Sequence, residues 1–128
     1  MSRLDVEGTE RTPTIAFDFD ANHLRIAGES YPEDVTEFYN PVTDALTAYL
    51  AGLGNGSCRF EFELVYYNSS SAKAIMTLME KLDEAAENGA KVEVYWYFDE
   101  EDDTMEELGE EFGEDLDHAT FHLEKMST

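Results

Sequence analysis

The stretch from Cys58 to Phe98 limits the fold more than any other part of the chain. Residues 58–67 (Cys-Arg-Phe-Glu-Phe-Glu-Leu-Val-Tyr-Tyr) have the composition of a strand and grow more apolar toward their end, the pattern of a strand near the centre of a sheet. Asn68-Ser69-Ser70-Ser71 follows at once, and from Ala72 the residues Ile75, Met76, Met79, Leu82 and Ala86 recur at helical spacing until Asn88-Gly89, a typical helix end. Val92, Val94, Trp96 and Phe98 then alternate with polar or aromatic neighbours as a second strand. Strand, helix and strand in this order make a right-handed parallel crossover, which places the chain in the α/β class.

The flanking segments extend that unit. Ile15, Phe17 and Phe19 alternate with Ala16, Asp18 and Asp20, and after a turn at Ala21-Asn22 the pattern resumes at Leu24 and Ile26, so these two strands should form a hairpin. Gly28 to Asp34 contains turn formers and Pro32 and reads as a loop or helix entry. Val42, Ala45, Leu46, Tyr49 and Leu50 mark a helix that stops at Gly52 and Gly54. Thr104-Met105-Glu106-Glu107 has the form of a capping box, followed by an apolar stripe of Met105, Leu108 and Phe112 that Gly109 and Gly113 interrupt. A short strand at Phe121 to Leu123 closes the chain. The order β-β-α-β-α-β-α predicts a small mixed sheet covered by helices. Residues 1–11 show no period and read as a flexible N-terminal segment, with one domain over 12–126. At 42% hydrophobic residues, a chain of 128 can bury a core of that kind.

Charge narrows the function. Thirty acidic against eight basic residues give a formal charge of -22, which repels phosphate backbones and argues against nucleic acid as a partner. Cys58 is the only cysteine, so no internal disulfide or cysteine-rich zinc module forms. The N-terminus has no apolar signal core and no run approaches the ~18 apolar residues of a membrane span, so no membrane insertion and a cytoplasmic location are expected. Twelve carboxylates and no basic residue lie between Asp99 and Asp117. That segment reads either as a solvated face or as a docking face for a basic partner, in the extreme as an inhibitor that mimics nucleic acid.

Few residues offer chemistry. Ser69, Ser70 and Ser71 stand where a central strand hands over to a helix, the edge at which α/β folds often place their sites. A serine there can cap the helix, at about 1 kcal/mol, or accept a phosphate that the helix N-terminus then favours. Asp18-Phe19-Asp20 resembles the aspartate pair of haloacid-dehalogenase phosphatases, but that chemistry also needs a Ser or Thr, a Lys and a metal-binding acidic pair on a larger fold. His118 and His122 would share a metal only on a helix, whereas Ala119-Thr120-Phe121 favours a strand. Asp99 to Asp103 lacks the glycine turn and ligand spacing of a calcium loop. Neither a metal site nor another cofactor is expected, and no nucleophile–base pair supports an enzyme.

Four ordered motifs carry a resemblance: Gly28-Glu29-Ser30-Tyr31-Pro32-Glu33; Phe38-Tyr39 with Pro41; Tyr66-Tyr67-Asn68-Ser69-Ser70-Ser71-Ala72-Lys73; and Val94-Tyr95-Trp96-Tyr97 leading to Met105-Glu106-Glu107-Leu108-Gly109. With them the chain resembles the SiaC family of bacterial regulatory phosphoproteins from about residue 12 to 115. The resemblance implies a fold similar to anti-sigma-factor antagonist (STAS-like) domains, with the phosphoacceptor at a strand-to-helix junction. It implies phosphorylation by a cognate Ser/Thr kinase, restoration by a metal-dependent, PP2C-like phosphatase, and binding of the unphosphorylated form to a diguanylate cyclase, hence a role in cyclic di-GMP and biofilm signalling. The family pattern at the acceptor is Asn-Thr-Ser-Ser, so Ser69 stands where the threonine falls. Ser69 is therefore the expected acceptor, with Ser70 and Ser71 as alternatives. Asn68, Ser70, Ser71, Tyr31 and Glu33 are the expected partner contacts.

Overall fold

The structure, a computed structural model, describes residues 2–126. Its centre is one six-stranded mixed sheet whose strands lie side by side in chain order. β1 (Arg3–Val6), β2 (Thr14–Asp18) and β3 (His23–Ser30) are antiparallel neighbours, and β4 (Ser57–Tyr67), β5 (Lys91–Asp99) and β6 (Thr120–Met126) each run parallel to the strand before. The three parallel steps are bridged by α1 (Val35–Ala51), α2 (Ser69–Glu87) and α3 (Asp103–Glu114).

Alternation decides which face is covered. Leu24, Phe60 and Val94 are register partners across β3, β4 and β5, and each is buried. They share one core with Leu46 of α1, Leu78 and Leu82 of α2 and Met105 and Phe112 of α3, so the helices cover a single face. The intervening residues, among them Arg25, Arg59, Glu61, Tyr95 and Tyr97, form the helix-free face. Glu61, only 8% exposed there, is satisfied by His23 (2.6 Å), Arg59 (3.0 Å) and Tyr97 (2.9 Å).

Three expectations need correction. The segment read as a flexible lead-in contributes β1, whose Leu4 and Val6 pair opposite Phe17 and Ile15 and pack on the core. Arg3 also bonds the carboxylates of Asp5 and Asp18 at 2.8–3.0 Å. The loop expected from Gly28 is strand as far as Ser30, with Gly28 at φ 115°, a conformation a side chain would strain. The capping box at Thr104 is displaced: Asp102 caps α3, accepting from the Met105 N–H at 3.1 Å.

The two glycines of α3 reflect close packing. A Cβ at Gly109 would lie 2.5 Å from Trp96 Cδ1, and one at Gly113 would lie 2.5 Å from Phe121 Cδ2. The helix backbone rests directly on two aromatic side chains, and Trp96 donates its indole N–H to the Met105 carbonyl at 3.0 Å. Among the described residues no helix is long and apolar enough to cross a membrane.

Candidate functional site

The C-terminal end of β4 is built by one irregularity. Between Gly28/Glu29 of β3 and Leu64/Tyr66 of β4 the register shifts by one residue, leaving Val65 unpaired as a bulge. An extra residue reverses the facing of everything after it. Val65 and Tyr66 are consequently both turned outward, 62% and 50% exposed, while Tyr67 turns inward against Trp96 and Phe112. Tyr67's hydroxyl is buried without a hydrogen-bond partner among the described residues, and burial, with Glu111 adding, pushes its pKa up to about 12.

α2 then begins at Ser69, earlier than the apolar spacing suggests. The cap is Asn68, whose side-chain oxygen accepts from the Ser71 N–H at 2.9 Å; its own N–H donates to the Ser30 carbonyl at 3.1 Å. Capping therefore needs none of the three serines. Ser69 and Ser70 occupy the first two helical positions and are exposed. Ser71 is fully buried. Its hydroxyl accepts from Ser30 at 2.9 Å, and Ser30, also fully buried, lies 2.6 Å from the Tyr39 hydroxyl of α1. Burial holds Tyr39's pKa above its ordinary value, against the lowering effect of the Ser30 bond. This chain of hydroxyls ties the first turn of α2 to β3 and α1. It also removes Ser71 from both expected roles, acceptor and partner contact, in the folded chain.

The other expected contacts do gather at this end of the sheet. Tyr31 meets Tyr66 edge to face with ring centroids 5.7 Å apart, and its N–H donates to the Arg11 carbonyl at 2.7 Å. Arg11 pairs with Glu33 at 3.0 Å. This end of the sheet thus exposes Val65 and Tyr66 and carries the solvent-exposed Arg11–Glu33 ion pair.

Electrostatics set α2 apart from the other helices. The first turns of α1 and α3 carry Glu37 and Asp103 with Glu106, whereas that of α2 carries no acidic residue. Its early N–H groups and N-terminal partial positive charge are not offset by a local carboxylate, and Lys73 lies one turn beyond Ser69 on the same side. An anion on either exposed serine of this turn, Ser69 or Ser70, meets a helix N-terminus whose first turn holds no acidic residue.

The remaining candidates separate. Asp18 accepts from Arg3 and from the Ala21 N–H, a structural arrangement at a hairpin turn. His118 pairs with Glu87 at 3.0 Å, and His122 on β6 stacks on Tyr95 and lies 3.2 Å from Glu93. Sequence reasoning missed the part played by Ser30 and Tyr39, whose only local sign is a serine at the end of an apolar strand.

Comparison with known proteins agrees with this geometry. The profile described as SiaC family regulatory phosphoprotein matches residues 6–126. A curated protein of Pseudomonas aeruginosa (strain UCBPP-PA14) is 38% identical over 115 residues, covering 90% of each chain. The crystal structure of apo-SiaC from Pseudomonas aeruginosa superimposes with a TM-score of 0.90 at 36% identity, covering 97% of this chain and 99% of that one. A chain in the crystal structure of the diguanylate cyclase SiaD in complex with its activator SiaC, from the same organism, gives 0.91 at 35% identity, covering 96% and 99%.

Proposed function

This chain belongs to the SiaC family of regulatory phosphoproteins, and from that premise we propose that it acts as a non-catalytic phospho-switch with Ser69 as the acceptor. A cognate Ser/Thr kinase transfers the γ-phosphoryl group of a nucleoside triphosphate to Ser69 Oγ, releasing the diphosphate; a PP2C-like phosphatase hydrolyses the ester with water to serine and free phosphate; and the unphosphorylated form binds and promotes a diguanylate cyclase. The cyclase is the partner of the similar SiaC protein of Pseudomonas aeruginosa.

The observation that supports this reading is the division of labour within the serine run: Asn68 caps and Ser71 is locked inside, which leaves Ser69 and Ser70 exposed in the first turn of α2. Of these two, Ser69 is the one that stands where the family pattern has its threonine. A phosphate adds about -1.5 to -2 charges, little against -22 at long range, so the switch works locally. The helix N-terminus stabilises the phosphate within the free protein by up to about 2 kcal/mol. The penalty arises when a partner covers the junction and leaves the charge buried and unpaired.

The test is phosphopeptide mapping after incubation with the cognate kinase. Label on Ser69, and its loss in Ser69→Ala, is expected. Undiminished incorporation in Ser69→Ala with label on another residue would refute the assignment.

A further inference from the structure

α2 packs on α1 along one flank, and along the other a groove of about 290 Å3 separates it from α3. Met76, Met79, Phe112 and Leu116 line it with apolar surface. Met76 is 43% exposed, one of the few large apolar side chains left in solvent. Glu80, Glu84 and Glu87 from α2 and Asp115 from the end of α3 stand around this surface, and among the described residues no lysine or arginine lines it. Asp83 has a separate duty: it accepts from the N–H groups of Asp117, His118 and Ala119 at 2.8–3.3 Å, pinning the loop after α3 to α2. Burial works against its charge, but those three bonds outweigh it and hold the carboxyl below the usual range.

An apolar strip between walls of one sign selects on two properties at once. The volume lies just under the ~300–1,000 Å3 of small-molecule sites, so it admits a side chain or two rather than a whole ligand. A metal ion or a plain polycation would leave the methionines unburied, and an uncharged apolar segment would desolvate the carboxylates without compensation. A helix with an apolar stripe flanked by Lys or Arg satisfies both, and flexible thioethers adapt well to such a stripe.

The groove also continues the α2 face that carries Ser69. Ser69, Lys73, Met76, Glu80 and Glu84 recur at three- or four-residue spacing. With a rise of 1.5 Å per residue, Met76 lies about 10 Å and Glu84 about 22 Å along the helix from Ser69.

We propose that the α2–α3 groove docks a basic amphipathic helix of the protein that this chain regulates. This rests on the reading above, in which the target covers the Ser69 junction. The groove supplies attraction and the junction supplies the switch, because the acidic walls lie beyond a Debye length of about 8 Å from a phosphate on Ser69.

The probe is a synthetic, fluorophore-labelled 16-residue helix of leucine and lysine with its leucines on one stripe, compared with a scrambled peptide of the same composition. Anisotropy in physiological salt should show the stripe peptide binding at least tenfold tighter than the scrambled one. Met76→Ser and the double variant Glu80→Lys/Glu84→Lys should each weaken it about tenfold or more. The distant pair Glu10→Lys/Asp20→Lys, with the same change in charge, should alter it less than twofold. The Met76 and Met79 methyl resonances should shift on binding, and phosphorylation of Ser69 should leave peptide affinity within twofold. Equal binding of the scrambled peptide, an equal effect of the distant pair, or unmoved methionine methyls would overturn the groove. None of these readouts involves the cyclase, so failure of the unmodified protein to bind a cyclase would refute the functional reading alone.

Discussion

Replacing Ser30 by alanine removes the middle member of the hydroxyl chain that joins Tyr39, Ser30 and Ser71. Ser30 has one proton and gives it to Ser71, which leaves Tyr39 to donate to Ser30. The substitution therefore strands two polar groups in the interior, since Tyr39 is 2% exposed and Ser71 is fully buried. A stranded buried polar group costs about 1–3 kcal/mol, so two of them should cost about 2–4 kcal/mol after relaxation. Ser71→Ala removes an end of the chain, keeps the Ser30–Tyr39 bond, and should cost about 1 kcal/mol. Trp96, the single tryptophan and fully buried, reports unfolding by fluorescence in urea. With a slope of about 1–3 kcal/mol per molar urea, Ser30→Ala should lower the midpoint on the order of 1–2 M, clearly more than Ser71→Ala. A Ser71→Ala effect equal to or larger than that of Ser30→Ala would show that the chain does not hold the α2 start as described.

Gly109→Ala should destabilise the protein by about 1–2 kcal/mol in the same assay. Crowding against Trp96 and Leu123 outweighs the helix propensity alanine adds, and a rise in stability would contradict the close approach of α3 to the sheet. Glu61 gives a pH signature. Burial would raise its pKa, but bonds from His23, Tyr97 and Arg59 together lower it below the ordinary value. Its stabilisation is complete above the unfolded-state pKa and is lost as pH falls through the lower folded value. Glu61→Gln should consequently flatten the acid limb of the stability curve, which chemical unfolding between pH 3 and 7 measures; an unchanged slope would oppose it.

What was legible in the sequence depended on how local its cause is. Strand β4, helix α2 and strand β5 follow from periodicities that each segment carries alone, and their parallel pairing is as expected. β1 has four residues, too few for a periodic signal, and exists because Leu4 and Val6 find Phe17 and Ile15 across the pair. The start of α3 lies in an acidic run where Asp102 and Thr104 both have the chemistry of a cap, and only the helix geometry chooses between them. The candidate site divides in the same way. Its position at the strand-to-helix junction could be read from residues 66–73, but the sorting of the three serines could not. That sorting depends on Ser30 and Tyr39, which reach Ser71 only through the tertiary fold, and on the bulge at Val65 that turns Tyr66 outward.

The most direct test of the proposed switch is calorimetric titration of a candidate diguanylate cyclase from the same organism against the unmodified and Ser69-phosphorylated forms of this protein, with Ser69→Ala as control. Burying an unpaired phosphate at a covered interface can cost several kcal/mol, and about 4 kcal/mol corresponds to a thousandfold loss of affinity. The account predicts tight binding by the unmodified and Ser69→Ala forms and a loss approaching that size on phosphorylation. Equal affinity of the phosphorylated and unmodified proteins would contradict it.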